Sequence, residues 1–330
     1  MWLQMVKTTV ISTFAGCGGS SLGYKMAGFH ELLAVEWDQN AVDTFRLNFP
    51  DVSVYHGDIA KLSGNDCMRL AGIKKGALDV LDGSPPCQGF STAGKRKFTD
   101  PRNSLFEEYA RLLLELQPKA FVMENVTGMV KGCMKQAYLQ IIKSLRECGY
   151  RAKGEVLNAM YYGVPQSRER VIIIGIREDL GIEPSHPKPQ TTPITVRKAW
   201  QGLNQTDADI QPALLKDTWQ MKRVLEGKEA SRHFGLVRIS FDKASNTIVK
   251  DAGNTATGMI HPEENRRLTI PEIKRLASFP DDYKFTGKYK EQWERIGNSV
   301  PPLLMKAIAE HIKANIIEKL TGIKPILEAV

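Results

Sequence analysis

The chain has 330 residues, of which 42% are hydrophobic and 25% charged, and it carries a net charge of +8 with a pI of about 9.1. Apolar and aromatic residues spread along the whole length exclude a disordered chain, and the longest purely apolar runs, such as Val171 to Ile174, are far too short to span a membrane. The length suggests two domains, and the basic balance hints at a polyanionic partner. Thr9 to Phe14 reads as a buried strand. Phe14-Ala15-Gly16-Cys17 has some look of a lipoprotein cleavage box, but Lys7 to Thr13 is too polar and short to be its apolar core. Gly18-Gly19 leads into a helix through Leu22 and Met26. Leu32 to Val35 is a second strand, ending at Glu36, and Asp38 caps the next helix, which carries Ala41, Val42, Phe45 and Leu47. Val52 to Tyr55 is a third strand, closed by Gly57-Asp58, and Ala77 to Leu81 a fourth. Ser104-x-x-Glu107 is a capping-box pattern. The helix it opens puts Leu105, Tyr109, Leu112 and Leu116 on one face, and Pro118 stops it. Ala120 to Met123 is a fifth strand ending at Glu124. Tyr138, Ile141, Ile142 and Leu145 mark a helix stopped by Gly149, and Val171 to Ile176 is a further buried strand. Strands alternating with helices predict a doubly wound, mostly parallel α/β sheet.

The alternation breaks at Pro184. Prolines stand at 184, 187, 189 and 193, and the stretch to about residue 265 is rich in Thr, Gln, Asn and Asp. We read 185–290 as a second, smaller domain, with 1–184 plus 291–330 forming the larger one. Regular helices return after Pro271, and Pro301 begins a last helix running toward Lys319. Residues 185–290 hold 18 Lys and Arg against 12 Asp and Glu, so most of the net charge sits there. A solvated surface would account for that excess; so would a surface that faces phosphates.

The five cysteines are Cys17, Cys67, Cys87, Cys133 and Cys148. The count is odd and there is no Cys-x-x-Cys, so neither a disulfide framework nor a zinc site is expected, and no metal at all. A reduced, cytosolic setting fits best. Most of these thiols read as small buried hydrophobes. Cys87 asks for a different account.

Four constellations carry chemistry. Phe14-Ala15-Gly16-Cys17-Gly18-Gly19 stands at a strand end before a helix, where glycines let a ligand approach the backbone. Ser21 occupies the third glycine position of the dinucleotide fingerprint, so by itself this is equally a tight turn with no ligand. Glu36, about twenty positions on at the end of the second strand, sits where a carboxylate binds ribose hydroxyls. Trp37 could cover an adenine face and Asp58 could accept from its amine. Gly83-Ser84-Pro85-Pro86-Cys87-Gln88-Gly89-Phe90-Ser91 follows the fourth strand, and two prolines before a cysteine suit a presented thiol. Alone it is a loop that happens to hold Cys. Glu124-Asn125-Val126 ends the fifth strand and offers a carboxylate for acid catalysis, or merely a surface acid. Gln166-Ser167-Arg168-Glu169-Arg170 precedes the strand at 171–176; alternation puts Arg168 and Arg170 on one side, either to hold an anion or carbonyl oxygen or to form local ion pairs.

In this order and spacing the motifs resemble the cytosine-carbon-5 DNA methyltransferase family, in its prokaryotic form with a single catalytic module and no regulatory domains. The match extends to Gly57-Asp58-Ile59, to Arg266-Arg267-Leu268-Thr269 before Pro271-Glu272, and to Gly297-Asn298-Ser299-Val300-Pro301-Pro302. It covers residues 13–177 and 266–302. The resemblance implies a Rossmann-like S-adenosylmethionine-dependent methyltransferase domain beside a smaller DNA-recognition domain. Cys87, flanked by Pro86 and Gln88, would attack carbon 6 of cytosine. Glu124, with Asn125, would hold or protonate ring nitrogen 3, and Arg168 and Arg170 would bind the base carbonyl or its phosphate and hold the loop. S-adenosylmethionine would lie across Phe14, Ala15, Gly16, Gly18, Glu36, Trp37, Asp58, Ile59 and Pro85, with Leu105, Asn298, Ser299 and Val300 completing the pocket. A target cytosine in duplex DNA would have to be flipped out. The region 185–265 would read the DNA, and Arg232, Arg238, Lys243, Asn246, Asn254 and Thr257 are its candidate contacts, because Arg suits guanine and Asn suits adenine. The resemblance further implies a bacterial or phage-type cytoplasmic monomer, part of a restriction-modification pair with a cognate endonuclease or an orphan.

Other readings share parts of this pattern. A tRNA cytosine-5 methyltransferase would carry the same motifs, since one branch of the family acts on tRNA; the size and basic balance of 185–265 favour DNA. A DNA-binding relative without activity is opposed by the intact Cys87, Glu124, Arg168 and Arg170. A nicotinamide dehydrogenase would share only the glycine turn and Glu36, leaving Pro86-Cys87 and Glu124-Asn125 without purpose.

Overall fold

The computed structural model describes residues 7–86, 104–210, 236–250 and 258–321. Seven strands form one sheet: β1 (Thr9–Thr13), β2 (His30–Glu36), β3 (Ser53–His56), β4 (Val80–Gly83), β5 (Ala120–Val126), β6 (Tyr150–Asn158) and β7 (Glu169–Arg177). Their order is β3-β2-β1-β4-β5-β7-β6, and only β7 runs antiparallel to its neighbours. The order reverses direction between β1 and β4. In open α/β sheets that reversal opens a crevice beyond the carboxyl ends of the strands.

Successive strand residues point to opposite faces, and both faces are buried. Val10, Val80, Val122, Ile172 and Ile174 pack on α1 (Gly19–Met26) and on the C-terminal helix. Ile11, Leu81, Phe121, Met123 and Ile173 pack on the other side, against α3 (Gly64–Ala71), α4 (Ser104–Leu116) and α5 (Lys135–Glu147). The helix α2 (Gln39–Asn48) is capped by Asp38, whose side chain accepts from Ala41 N at 2.8 Å, as expected. Ser104 is the first helical residue of α4.

The strand β6 was not visible in the sequence. Its buried positions Tyr150 and Ala152 alternate, but Gly154 interrupts the pattern, because a side chain there would strike the Tyr138 hydroxyl.

Two short helices, α6 (Val196–Ala199) and α7 (Asp207–Ile210), precede a two-stranded parallel pair, β8 (Leu236–Arg238) and β9 (Gly258–Ile260). Then come α8 (Ile270–Leu276), α9 (Tyr289–Asn298) and α10 (Pro302–Ile312), the last continuing through a π-helical stretch into α11 (Glu318–Thr321). Thr269 and Glu272 form a reciprocal capping box at α8, a second instance of the pattern that also went unread. The described part of 185–290 shares its core with the larger unit. Val196, Ile239, Ile248, Met259, Leu276 and Phe279 pack in one cluster with Ala15, Leu22, Phe45 and Phe49. The boundaries expected at 184 and 290 therefore leave no break in this core.

Candidate active site

The glycine loop leaves β1 through a left-handed residue, Phe14 (φ +54°), and two glycines, Gly16 (φ +56°) and Gly18 (φ +90°), continue the turn. These angles strain any side chain. A Cβ on Gly16 would meet nothing within 4 Å, so the space above it is open. A side chain on Gly18 would strike Phe49 and Tyr283. Glu36 gathers the loop. Its Oε2 accepts from Gly16 N at 2.7 Å, and its Oε1 accepts from Trp37 N and Asp38 N at 2.8 and 2.9 Å. Three donors leave one of a carboxylate's four or so lone-pair directions for a hydroxyl. Trp37 stands beside the loop with 78% of its surface exposed, its carbonyl tied to His56 Nε2 at 3.1 Å. Asp58 is exposed and caps the turn that holds buried Ile59, accepting from Ala60 N.

The segment after α9 closes this wall. A side chain on Gly19 would strike the Val300 carbonyl. Ser299 Oγ lies 3.0 Å from the Cys17 thiol and donates to Arg295 O. Burial pushes that thiol up to about 11, so Cys17 is a packing residue. Asn298 is exposed, Val300 is buried, and Leu105 is half-buried on α4. An open patch over Gly16, an exposed indole and a carboxylate with spare acceptor capacity fit a nucleoside-bearing cofactor.

The second wall rises from β4 and β5. Asn125 Nδ2 donates to Pro85 O at 3.0 Å, while its Oδ1 accepts from Val126 N at 2.9 Å. Asn125 thus ties buried Pro85 and exposed Pro86 to the end of β5. Cys87 and Gln88 follow directly and lie outside the described residues. Next along the sheet, Arg170 Nε pairs with Glu124 Oε1 at 2.8 Å, and both side chains keep about an eighth of their surface exposed (13% and 12%). The antiparallel register, Glu124 opposite Ile172 and Val126 opposite Arg170, brings the two together.

Arg168 does something different from its neighbour. It is 3% exposed, and its Nη1 and Nη2 donate to Ile248 O and Gly297 O, each at 2.9 Å. Its burial, and then the charge of Arg170, bring the guanidinium below its usual pKa. Both terminal nitrogens are committed to protein carbonyls and only the buried Nε lacks a partner, so we assign it to holding the structure and not to a base.

Arg238 is a clear correction. It is 6% exposed, and it donates to His261 O, Glu264 O and Asn265 Oδ1 at 2.7, 2.9 and 2.6 Å. A guanidinium committed inside the fold does not read bases. Lys243 and Asn246 are exposed, whereas Arg232, Asn254 and Thr257 lie outside the described residues. The sequence reading missed Gln166 as a site residue: it is 1% exposed and its Oε1 accepts from Ile248 N at 3.0 Å. Its place two residues before Arg168 was the only signal that could have found it.

Residues 8–314 match the family model described as C-5 cytosine-specific DNA methylase. The chain is 37% identical to Type II methyltransferase M1.HphI of Haemophilus parahaemolyticus over 333 residues, covering 94% of this chain and 88% of that one. It is 33% identical to Type II methyltransferase M.DdeI of Desulfomicrobium norvegicum, covering 92% and 88%. A crystal structure of a candidate DNA modification methyltransferase encoded within an E. coli prophage superposes with a TM-score of 0.80 at 26% identity, covering 94% of this chain and all of that one. With the glycine loop, the Asn125-braced Pro85-Pro86 segment and the Glu124–Arg170 pair at neighbouring strand ends, this chain belongs to the C-5 cytosine-specific DNA methylase family.

Proposed function

We propose that this DNA cytosine-5 methyltransferase modifies a flipped-out cytosine in a short duplex sequence through a covalent bond to Cys87. The observation that carries the reading is the Glu124–Arg170 pair beside the Asn125-braced turn that leads into Cys87. Carbon 5 of cytosine is a poor nucleophile until an anion adds next to it. The Cys87 thiolate adds at carbon 6, and the ring electron pair moves to carbon 5. Glu124 hydrogen-bonds ring nitrogen 3 and relieves the charge that builds in the ring, while Arg170 orients Glu124 and faces the carbonyl or phosphate of the base. Bound S-adenosylmethionine supplies an electrophilic methyl on a cationic sulfur; Gly16, Glu36, Trp37, Asp58, Ser299 and Val300 would hold it. The cycle closes when a water or a basic group takes the proton from the methyl-bearing carbon 5, that C–H pair re-forms the carbon 5–carbon 6 double bond, and the Cys87 sulfur leaves carbon 6 with its electron pair. Pro85 and Pro86 limit where that sulfur can stand.

A base inside a duplex cannot reach such a site without leaving the stack. The basic region 185–290 would read the sequence around it, through Lys243, Asn246 and residues outside those described. We place the enzyme in the cytoplasm as a monomer that acts either beside a cognate restriction endonuclease or as an orphan; its likeness to Type II methyltransferases favours the former. Among the described residues no helix is long and apolar enough to cross a membrane. The test is incubation with methyl-labelled S-adenosylmethionine and either duplex DNA or tRNA. Label in DNA is expected; label confined to tRNA would overturn the choice of substrate.

A further inference from the structure

Residues 245–249 are stitched to the catalytic sheet with unusual density. Ser167 N donates to Ser245 O at 2.8 Å and Ser245 N to Pro165 O at 3.0 Å, a short parallel bridge. Thr247 Oγ1 donates to Ser167 O at 2.7 Å. Gln166 takes the Ile248 N–H and Arg168 takes the Ile248 carbonyl, so both backbone groups of one residue are held by buried side chains of another segment. Arg168 reaches Gly297 O with its second arm, and Trp293 Nε1 donates to Val249 O at 3.0 Å. A side chain on Gly297 would strike the Val249 backbone, so α9 lies directly against this stretch. Between these anchors the side chains of Lys243, Asn246, Val249 and Lys250 face outward. A buried guanidinium whose two terminal nitrogens go to carbonyls and whose Nε has no partner is a costly way to hold a loop that any hydrophobic contact could cover.

We infer that Gln166 and Arg168 are positioning residues that clamp the outward-facing ridge 243–250 in fixed register with the Glu124–Arg170 pair, so that DNA held on the ridge presents its cytosine at the right place. The inference rests on the proposed function. Arg168 is two residues before Arg170 on one continuous segment, so a shift at Ile248 is passed to the catalytic pair. The ridge can vary outward while its backbone stays set. That makes the clamp a device for coupling recognition to chemistry, separate from either.

The test uses unmethylated duplex DNA in which 5-fluorocytosine replaces cytosine, and reads the rate of denaturant-stable adduct formation at Cys87, alongside DNA retention and S-adenosylmethionine binding. Arg168→Met should slow capture by about tenfold to a hundredfold, since a misplacement near 1 Å costs that much. DNA retention should change by less than about threefold, and cofactor binding should not change. Arg168→Lys, which still reaches one carbonyl, should recover part of the rate. Asn246→Ala should slow capture in the native protein and have little further effect in Arg168→Met, because the register it depends on is already lost. Should Arg168→Met fail to fold, as judged by cofactor binding, Gln166→Glu, which keeps the acceptor for Ile248 N, and Gln166→Met, which does not, make the same comparison. In variants that still bind cofactor, unchanged capture, additive effects, or capture that falls only in step with DNA retention would overturn the clamp alone. A native protein that captures no fluorinated DNA would overturn the proposed function and the clamp with it.

Discussion

The glycine loop and the ridge at 245–249 are both irregular stretches at the rim of the same sheet, yet they are held by opposite means. The loop is held by one carboxylate, Glu36 of the adjacent strand, which takes Gly16 N from twenty residues away and also the N–H groups of its own neighbours Trp37 and Asp38. In the ridge the backbone is the passive partner, and side chains reach it from eighty residues upstream and more than forty downstream. The first arrangement leaves an open cradle above glycines. The second leaves Asn246 and Val249 facing outward while Ile248 packs into the core.

The largest way to break this comparison is to remove the chemistry between the two regions. Cys87→Ser should lower turnover by more than about a thousandfold, with DNA retention within about threefold of native. Turnover that survives, followed by label transfer from S-adenosylmethionine, would contradict the covalent route. Glu36→Ala tests the loop. With Gly16, Trp37 and Asp38 N–H deprived of their acceptor, S-adenosylmethionine affinity should fall by about tenfold to a hundredfold by calorimetry, while DNA retention holds. Equal losses of both would mean that the two regions are not separable.

Arg238 and the lysines sharpen the ridge side. Arg238→Ala should destabilise the fold by about 1–3 kcal/mol in denaturant melts, because it leaves buried carbonyls without donors. It should leave the salt dependence of DNA binding as it was. Lys243→Ala and Lys250→Ala should do the reverse: melts unchanged, and a salt slope shallower by about one for each phosphate that is no longer neutralised.

The smallest effect concerns what lies beneath the loop. Glu31 accepts from Ser21 Oγ at 2.9 Å, and Tyr24 OH donates to Asp82 at 3.3 Å, so α1 is pinned to β2 and β4 by two buried carboxyl groups. Burial lifts Glu31 from 4.5 to about 7. Burial, and then the charge of Glu31, hold Asp82 well above the carboxylate range. A carboxyl raised in the folded state stabilises it fully below the unfolded value and loses that contribution as pH rises through about 7. Glu31→Gln should therefore gain about 1–3 kcal/mol over native at pH 8, and the gap should close toward pH 5. A gap independent of pH would mean that Glu31 does not titrate in that range.

The same contrast explains what the sequence could show. Glu36, Trp37 and Asp38 stand at a strand end marked by composition, and Glu36 takes its hydrogen bonds from within twenty residues, so this strand-end geometry was legible, although the Asp38–Arg295 pair was not. So was the doubly wound sheet, because both faces of its central strands are buried. Asn125 was legible as part of a motif, although its grip on Pro85 was not. Arg168 and Arg170 looked alike from alternation, but one is paired with Glu124 and the other is buried in a long-range clamp, a difference fixed by partners eighty and more residues away. Arg238 looked like a base reader because an isolated Arg in a basic, Asn-rich stretch carries no sign of burial. The second domain was read from a break in pattern, whereas cores are set by packing, and here Phe45 and Phe49 pack with Leu276 and Phe279 across that break.

The most direct measurement is mass spectrometry of the complex formed with S-adenosylmethionine and 5-fluorocytosine duplex DNA. With fluorine on carbon 5 no proton can leave, so a denaturant-stable adduct is expected on the peptide containing Cys87, absent from Cys87→Ser. No adduct, or an adduct on another residue, would contradict the covalent mechanism.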